Sequence, residues 1–72
     1  MEINYSTKTD TLYIRLDELK QDVINKRVTD DVVLDVGVGE RIVGIEITGA
    51  SSHLNLKNIL PVEFKLAAGV NA

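Results

Sequence analysis

The chain has 72 residues and a mass of 7.9 kDa, with 8 Lys and Arg against 11 Asp and Glu, a net charge of −3 and no cysteine. A chain this short makes one small domain, residues 1–72, and buries only about 60% of the surface it exposes unfolded. The missing cysteines exclude a disulfide, a thiolate metal site and a thiol nucleophile, and the single His53 excludes a multi-histidine site within one chain.

The acidic balance, with a pI near 4.9, argues against a nucleic-acid surface, which needs clustered Lys and Arg. The basic residues are scattered, and Lys26-Arg27 is their one adjacent pair. No apolar run approaches the roughly 20 residues of a membrane span. Met1-Glu2-Ile3-Asn4 lacks the basic and apolar parts of a signal peptide, so the expected address is the cytoplasm. Small folds without disulfides are usually supported by a metal or by a partner chain. A homodimer is therefore expected, and no cofactor.

Ile3-Asn4-Tyr5 alternates as a half-buried strand does. Ser6 to Asp10 is a polar turn cluster. Thr11 to Leu16 follows as a second strand, with Leu12, Ile14 and Leu16 on one face and Thr11, Tyr13 and Arg15 on the other. The two strands form an antiparallel hairpin. Asp17 to Asp22 reads as a connector, too short and too poorly capped to hold a helix alone. Val23 to Thr29 reads as an edge strand, because Ile24, Lys26 and Val28 are poor core material and an inward lysine blocks unwanted pairing.

Asp30-Asp31-Val32-Val33-Leu34-Asp35-Val36 and Arg41-Ile42-Val43-Gly44-Ile45-Glu46-Ile47 flank Gly37 and Gly39, the signature of a hairpin. With the turn over Gly37 to Glu40, Val36 pairs with Arg41 and Asp31 with Glu46. Val32, Leu34, Val36, Val43, Ile45 and Ile47 then share one face, and Leu12, Ile14 and Leu16 pack against them. Gly44, inside a strand, removes a side chain where a backbone or a large ring presses close, or marks a bulge.

Ser51 or Ser52 is expected to cap a short helix running through Asn58. Pro61 opposes its continuation. Val62, Phe64 and Leu66 alternate with Glu63 and Lys65, which favours a final strand over a second helix beginning at Pro61. Residues 52–66 are thus a helix and strand extension, and residues 67–72 read as a frayed tail.

The polar side of the second hairpin collects Asp31, Asp35 and Glu46. Like charges directly opposite are destabilising, so something must offset Asp31 and Glu46. Arg15 is one candidate and a divalent cation another, since hard cations take carboxylate oxygens. A closely spaced carboxylate pair could also do acid–base work, one member holding its proton. The simplest reading is a solvated face of screened charges. On that reading no residue is catalytic. His53 is expected to be exposed or at an interface, because two serines beside it in sequence make no catalytic triad. Tyr13 beside Arg15 suits an interface. Gly37-Val38-Gly39 is a turn rather than a phosphate cradle.

Tyr5, then Asp10-Thr11-Leu12-Tyr13-Ile14-Arg15-Leu16, Asp30-Asp31-Val32-Val33-Leu34-Asp35, Val43-Gly44-Ile45-Glu46-Ile47 and Ala50-Ser51 together resemble a family of small prokaryotic proteins, the domain of unknown function numbered twenty-two eighty-three. The resemblance covers roughly residues 3–51. The chain departs from it at the turn, where Gly37-Val38-Gly39-Glu40 replaces an acidic stretch ending in Asp-Gly. The resemblance implies a small, β-rich, stand-alone cytoplasmic protein and brings no activity and no catalytic residue with it.

The expected fold is mainly β: an antiparallel β-meander of four to five strands with one short C-terminal helix. The leading expectation for function is a small non-enzymatic interaction module that homodimerises and binds a partner protein. The alternatives are a metal- or acid–base-dependent enzyme built on Asp31, Asp35 and Glu46 with Arg15, and an antitoxin-like or regulatory subunit.

Overall fold

The computed structural model describes residues 1–67 and contains five strands and one short helix. The strands are β1 (Glu2–Ser6), β2 (Thr11–Arg15), β3 (Ile24–Arg27), β4 (Val32–Val36) and β5 (Ile42–Thr48). Helix α1 (Ala50–His53) follows, and 3-10 turns lie over Val38–Glu40 and Leu56–Asn58. All strands join one antiparallel sheet, mainly β as the alternation predicts, in the order β1-β2-β5-β4-β3.

β3, β4 and β5 form a meander, but β5 then closes against β2, so the sheet is not one uninterrupted meander. The reason lies in β3. An unbroken order would place β3 at the centre, where Lys26 opposite Leu34 would put an ammonium among aliphatics. At the edge Lys26 reaches water, and β5, with its seven residues, takes the centre. The connector from β2 to β3 is held down rather than loose. The Asp17 carboxylate accepts the Leu19 N–H at 2.9 Å and pairs with the Arg41 guanidinium, and Gln21 Oε1 accepts the Val38 N–H at 2.9 Å.

The second hairpin differs from the expected register. Val36 lies opposite Ile42, and past a bulge Asp35 faces Gly44, Leu34 faces Ile45, Val33 faces Glu46 and Val32 faces Ile47. Asp31 and Glu46 are therefore not paired. Two one-residue displacements cause this. The Gly37 N–H donates to the Arg41 carbonyl at 2.8 Å, which closes the turn on Val38–Glu40 and moves the pairing by one residue, and the bulge moves it by another. Because two is even, the aliphatic residues keep their expected face.

That face carries Ile3 and Tyr5 of β1, Leu12 and Ile14 of β2, Ile45 and Ile47 of β5, Val32 and Leu34 of β4 and Ile24 of β3. Leu12, Val36, Val43 and Ala50 are buried, Leu12 at 1% exposure, while Ile14, Val32, Leu34, Ile45 and Ile47 are only partly buried. Leu16, expected in the core, lies beyond the end of β2 and is exposed, its N–H donating to the Val43 carbonyl at 2.7 Å.

Two expectations for the C-terminal third do not hold. Helix α1 covers only Ala50–His53 and begins from Gly49 in a left-handed conformation (φ 58°), with no serine capping it. The Ser51 hydroxyl is spent elsewhere, on Asp10. Residues 62–66 pair with no strand of the sheet, so their alternation has no ladder to join, and Val62, Phe64 and Leu66 are exposed. Of the expected tail, residues 68–72 lie outside the described residues.

Candidate interaction surface

The polar face of the sheet is organised along one row that crosses all five strands. Glu2 lies opposite Arg15, Arg15 opposite Gly44, Gly44 opposite Asp35 and Asp35 opposite Asn25. The Tyr13 ring leans into this row over Gly44, where a Cβ would stand 2.1 Å from the Tyr13 hydroxyl oxygen. Gly44 thus answers to a large ring pressing close, one of the two roles its sequence position suggested. The Tyr13 hydroxyl donates to Asp35 Oδ2 at 2.8 Å, and the Asn25 amide donates to Asp35 Oδ1. Arg15 stacks its guanidinium 5.5 Å from the Tyr13 ring centre and reaches Glu2 at 3.7 Å. Partial burial, then the hydrogen bond to Asp35, push the Tyr13 hydroxyl above its ordinary pKa of 10.0. Each side chain in the row is committed to a neighbour, so the row ties the strands together.

Two further carboxylates fasten the chain around α1. Asp10, at φ 52° in the β1–β2 turn, accepts the Tyr5 hydroxyl at 2.6 Å, the Ser51 hydroxyl at 2.7 Å and the Ser51 N–H at 3.1 Å. Its carbonyl accepts the Ala50 N–H at 2.9 Å. Asp tolerates this left-handed conformation better than most residues. The Tyr5 bond foremost, with those of Ser51, holds the Asp10 carboxyl below the usual carboxylate range. Asp31 lies at the other end of α1. Its carbonyl accepts the Thr48 N–H at 2.9 Å, its Oδ1 accepts the Thr48 hydroxyl at 2.9 Å, and His53 Nε2 lies 2.8 Å from its Oδ2. The His53 contact first, then Thr48, lowers the Asp31 pKa.

The three acidic residues singled out in the sequence are therefore dispersed by the register. Asp31 sits with His53 and Thr48, Asp35 with Tyr13 and Asn25, and Glu46 opposite Tyr13 and Val33. Arg15 offsets Glu2 rather than an Asp31–Glu46 pair. Among the described residues no three His, Asp or Glu side chains converge as a metal ion would require. His53 is exposed, as expected, and Tyr13 does lie beside Arg15.

Sequence reasoning missed the roles of Asp10 and Asp17. The signals were present: Asp10 stands immediately before a strand, where an aspartate accepts nearby N–H groups, and Asp17 two residues after one. Their distant partners, Ser51 and Arg41, are set by topology and have no local signature.

The apolar face is the other candidate surface, and only one end of it is covered. The segment after α1 folds over β1 and β2, leaving a groove of about 390 Å³ lined by Ile3, Tyr5, Leu12, Leu56, Ile59 and Leu60, with Lys57 at its rim. Towards β4 and β3 the face is open, ending at Ile24, which is 68% exposed, and at Lys26 opposite Leu34. Among the described residues no helix is long and apolar enough to cross a membrane.

The chain belongs to the family described as protein of unknown function (DUF2283), whose model matches residues 2–51. No curated protein and no solved structure matches it. The match ends inside α1, so it takes in the whole sheet, the Asp10–Ser51 fastening and the Tyr13–Asp35 clamp.

Proposed function

We propose that this chain is a non-enzymatic interaction module that homodimerises through the apolar face of its sheet. The observation that carries the reading is the half-covered face itself. Ile14, Val32, Leu34, Ile45 and Ile47 line the middle of a five-stranded sheet, where a second layer normally completes a core, yet none of the five is fully buried. A contiguous apolar patch on a small protein marks an interaction site. The polar side chains support the same view, because Tyr13, Asp35, Asp10 and Asp31 all hold the fold together and none is left poised in a cleft.

The experiment is a solution mass. Light scattering at micromolar concentration is expected to give twice 7.9 kDa, with a melting temperature that rises with protein concentration. A mass of 7.9 kDa and a concentration-independent melt overturn the reading.

A further inference from the structure

We propose that the dimer is closed by exchange of the C-terminal arms: residues 61–67 of each protomer cross to the other, and Phe64 fills the groove between the partner's β1–β2 hairpin and its Leu56–Asn58 turn. The inference rests on the homodimer reading and adds to it the segment and the socket.

The arm has the alternation of a strand without a strand's partners. Val62, Phe64 and Leu66 alternate with Glu63 and Lys65, and Phe64 is 89% exposed and Leu66 69%. Such an alternation is what a chain presents when one side of it lies against an apolar surface. The chain's own body does not supply that surface, as the exposure of Phe64 shows.

Surface area argues that a second copy does. The chain exposes 5814 Å², against about 4,400 Å² for a compact monomer of this mass. The surplus, about 1,400 Å² per chain, exceeds the roughly 800 Å² that each partner gives up in a stable complex. The radius of gyration agrees: 13.9 Å, against about 11 Å for a compact chain of this length.

Position selects the groove. Leu60, the root of the arm, forms part of the groove wall. A two-fold axis beside the two roots brings each groove close to the other protomer's arm. Four extended residues span about 13 Å, enough to carry Phe64 from its own Leu60 across to the neighbouring groove. The exchange is reciprocal, as a two-fold contact must be.

The cysteine-free chain allows a direct test. F64C protomers are mixed with L56C protomers under mild oxidation, with a K8C and L56C mixture as control, and dimer dissociation is measured for wild type and F64D. A covalent heterodimer is expected from the first mixture and not from the control. The dissociation constant of F64D is expected to rise at least about tenfold, as when an aromatic anchor is lost. Phe64 is exposed within the single chain, so F64D should keep the far-UV spectrum of the wild type. A wild-type dimer that gives no F64C–L56C link, or that F64D leaves intact, overturns the arm exchange and leaves the homodimer standing. A wild-type monomer overturns both.

Discussion

Tyr13 on β2 and Asp35 on β4 are separated by the whole width of β5, yet the tyrosine hydroxyl donates to the carboxylate at 2.8 Å. The bond exists because the intervening residue is Gly44. A Cβ there would stand 2.1 Å from the Tyr13 hydroxyl oxygen, 2.5 Å from its ring carbon Cζ and 3.0 Å from the Ile14 carbonyl oxygen. One missing methyl group lets three strands be tied by one side chain.

Gly44→Ala is therefore expected to cost about 1–3 kcal/mol, the range for forcing an extra methyl into a packed site. The Tyr13 ring can yield only by giving up Asp35. Tyr13→Phe, which removes the hydroxyl alone, is expected to cost about 0.5–1 kcal/mol, low in the hydrogen-bond range because the pair is partly exposed. A double-mutant cycle in urea checks the relationship. Gly44→Ala should cost clearly less in a Tyr13→Ala background, and equal costs in both backgrounds would show that the ring is not what the glycine accommodates.

Alkaline pH gives a second view of the same clamp. The Tyr13 pKa is raised in the folded state, by burial first and by the Asp35 bond second. A raised pKa contributes stability that is full below the unfolded value of 10.0 and lost as pH rises through the folded value. Tyr5 shares this direction, chiefly through its bond to Asp10. Absorbance titration of the phenolates should show both tyrosines ionising above 10.0, and Tyr13→Phe should shallow the loss of stability there. A tyrosine titrating at its ordinary value would remove the support for its hydrogen bond.

Acid pH probes the fastenings around α1. Asp10 and Asp31 have lowered pKa values in the folded chain, Asp10 chiefly through Tyr5 and Asp31 chiefly through His53. A lowered pKa contributes stability that is present above the unfolded value, 3.8, and is lost as pH falls through the folded value. Melting temperature should drop below about pH 4. Asp10→Asn and Asp31→Asn should each lower it at neutral pH and flatten its fall in acid. A variant with the full wild-type acid dependence would show that its carboxylate is not engaged.

The sequence carried the faces further than it carried the partners. Period-2 alternation placed Leu12, Ile14, Ile45 and Ile47 on one side of the sheet, and an even displacement of the hairpin left that assignment intact. The same displacement removed the acidic pair, since Asp31 falls past the end of β4 and reaches Thr48 and His53 instead. Turn length and a bulge decide such pairings, and neither Gly37 nor Val43 announces them locally. The alternation at Val62, Phe64 and Leu66 is equally visible in sequence, but a strand also needs a free edge beside it. Topology decides where edges lie, and β5 at the centre leaves them on β1 and β3.

The register makes a sharp contrast between two conservative changes. Glu46 lies opposite Val33 and Tyr13, so Glu46→Gln should leave the urea midpoint unchanged. Asp31→Asn should lower it, because Asp31 holds the end of β5 through Thr48 and the end of α1 through His53. If both variants instead gain stability together, the two carboxylates repel one another and the hairpin has the pairing that sets Val36 opposite Arg41 and Asp31 opposite Glu46.

The core offers the last contrast, and it reports on the assembly. Leu12 is 1% exposed within the single chain, so Leu12→Ala should cost about 2–5 kcal/mol, the usual range for truncating a buried leucine. Ile45 is only partly buried in the chain, and the homodimer reading covers the part left exposed. Ile45→Ala should therefore act on two equilibria, folding and association, whereas Leu12→Ala, at a side chain that lines the groove but is already 1% exposed in the single chain, acts chiefly on folding. Melts over a hundredfold range of protein concentration separate them. The penalty of Ile45→Ala should grow with concentration as the wild type gains its partner, and more steeply than that of Leu12→Ala. Two penalties equally indifferent to concentration would mean that nothing covers Ile45 and that the apolar face stays open to water.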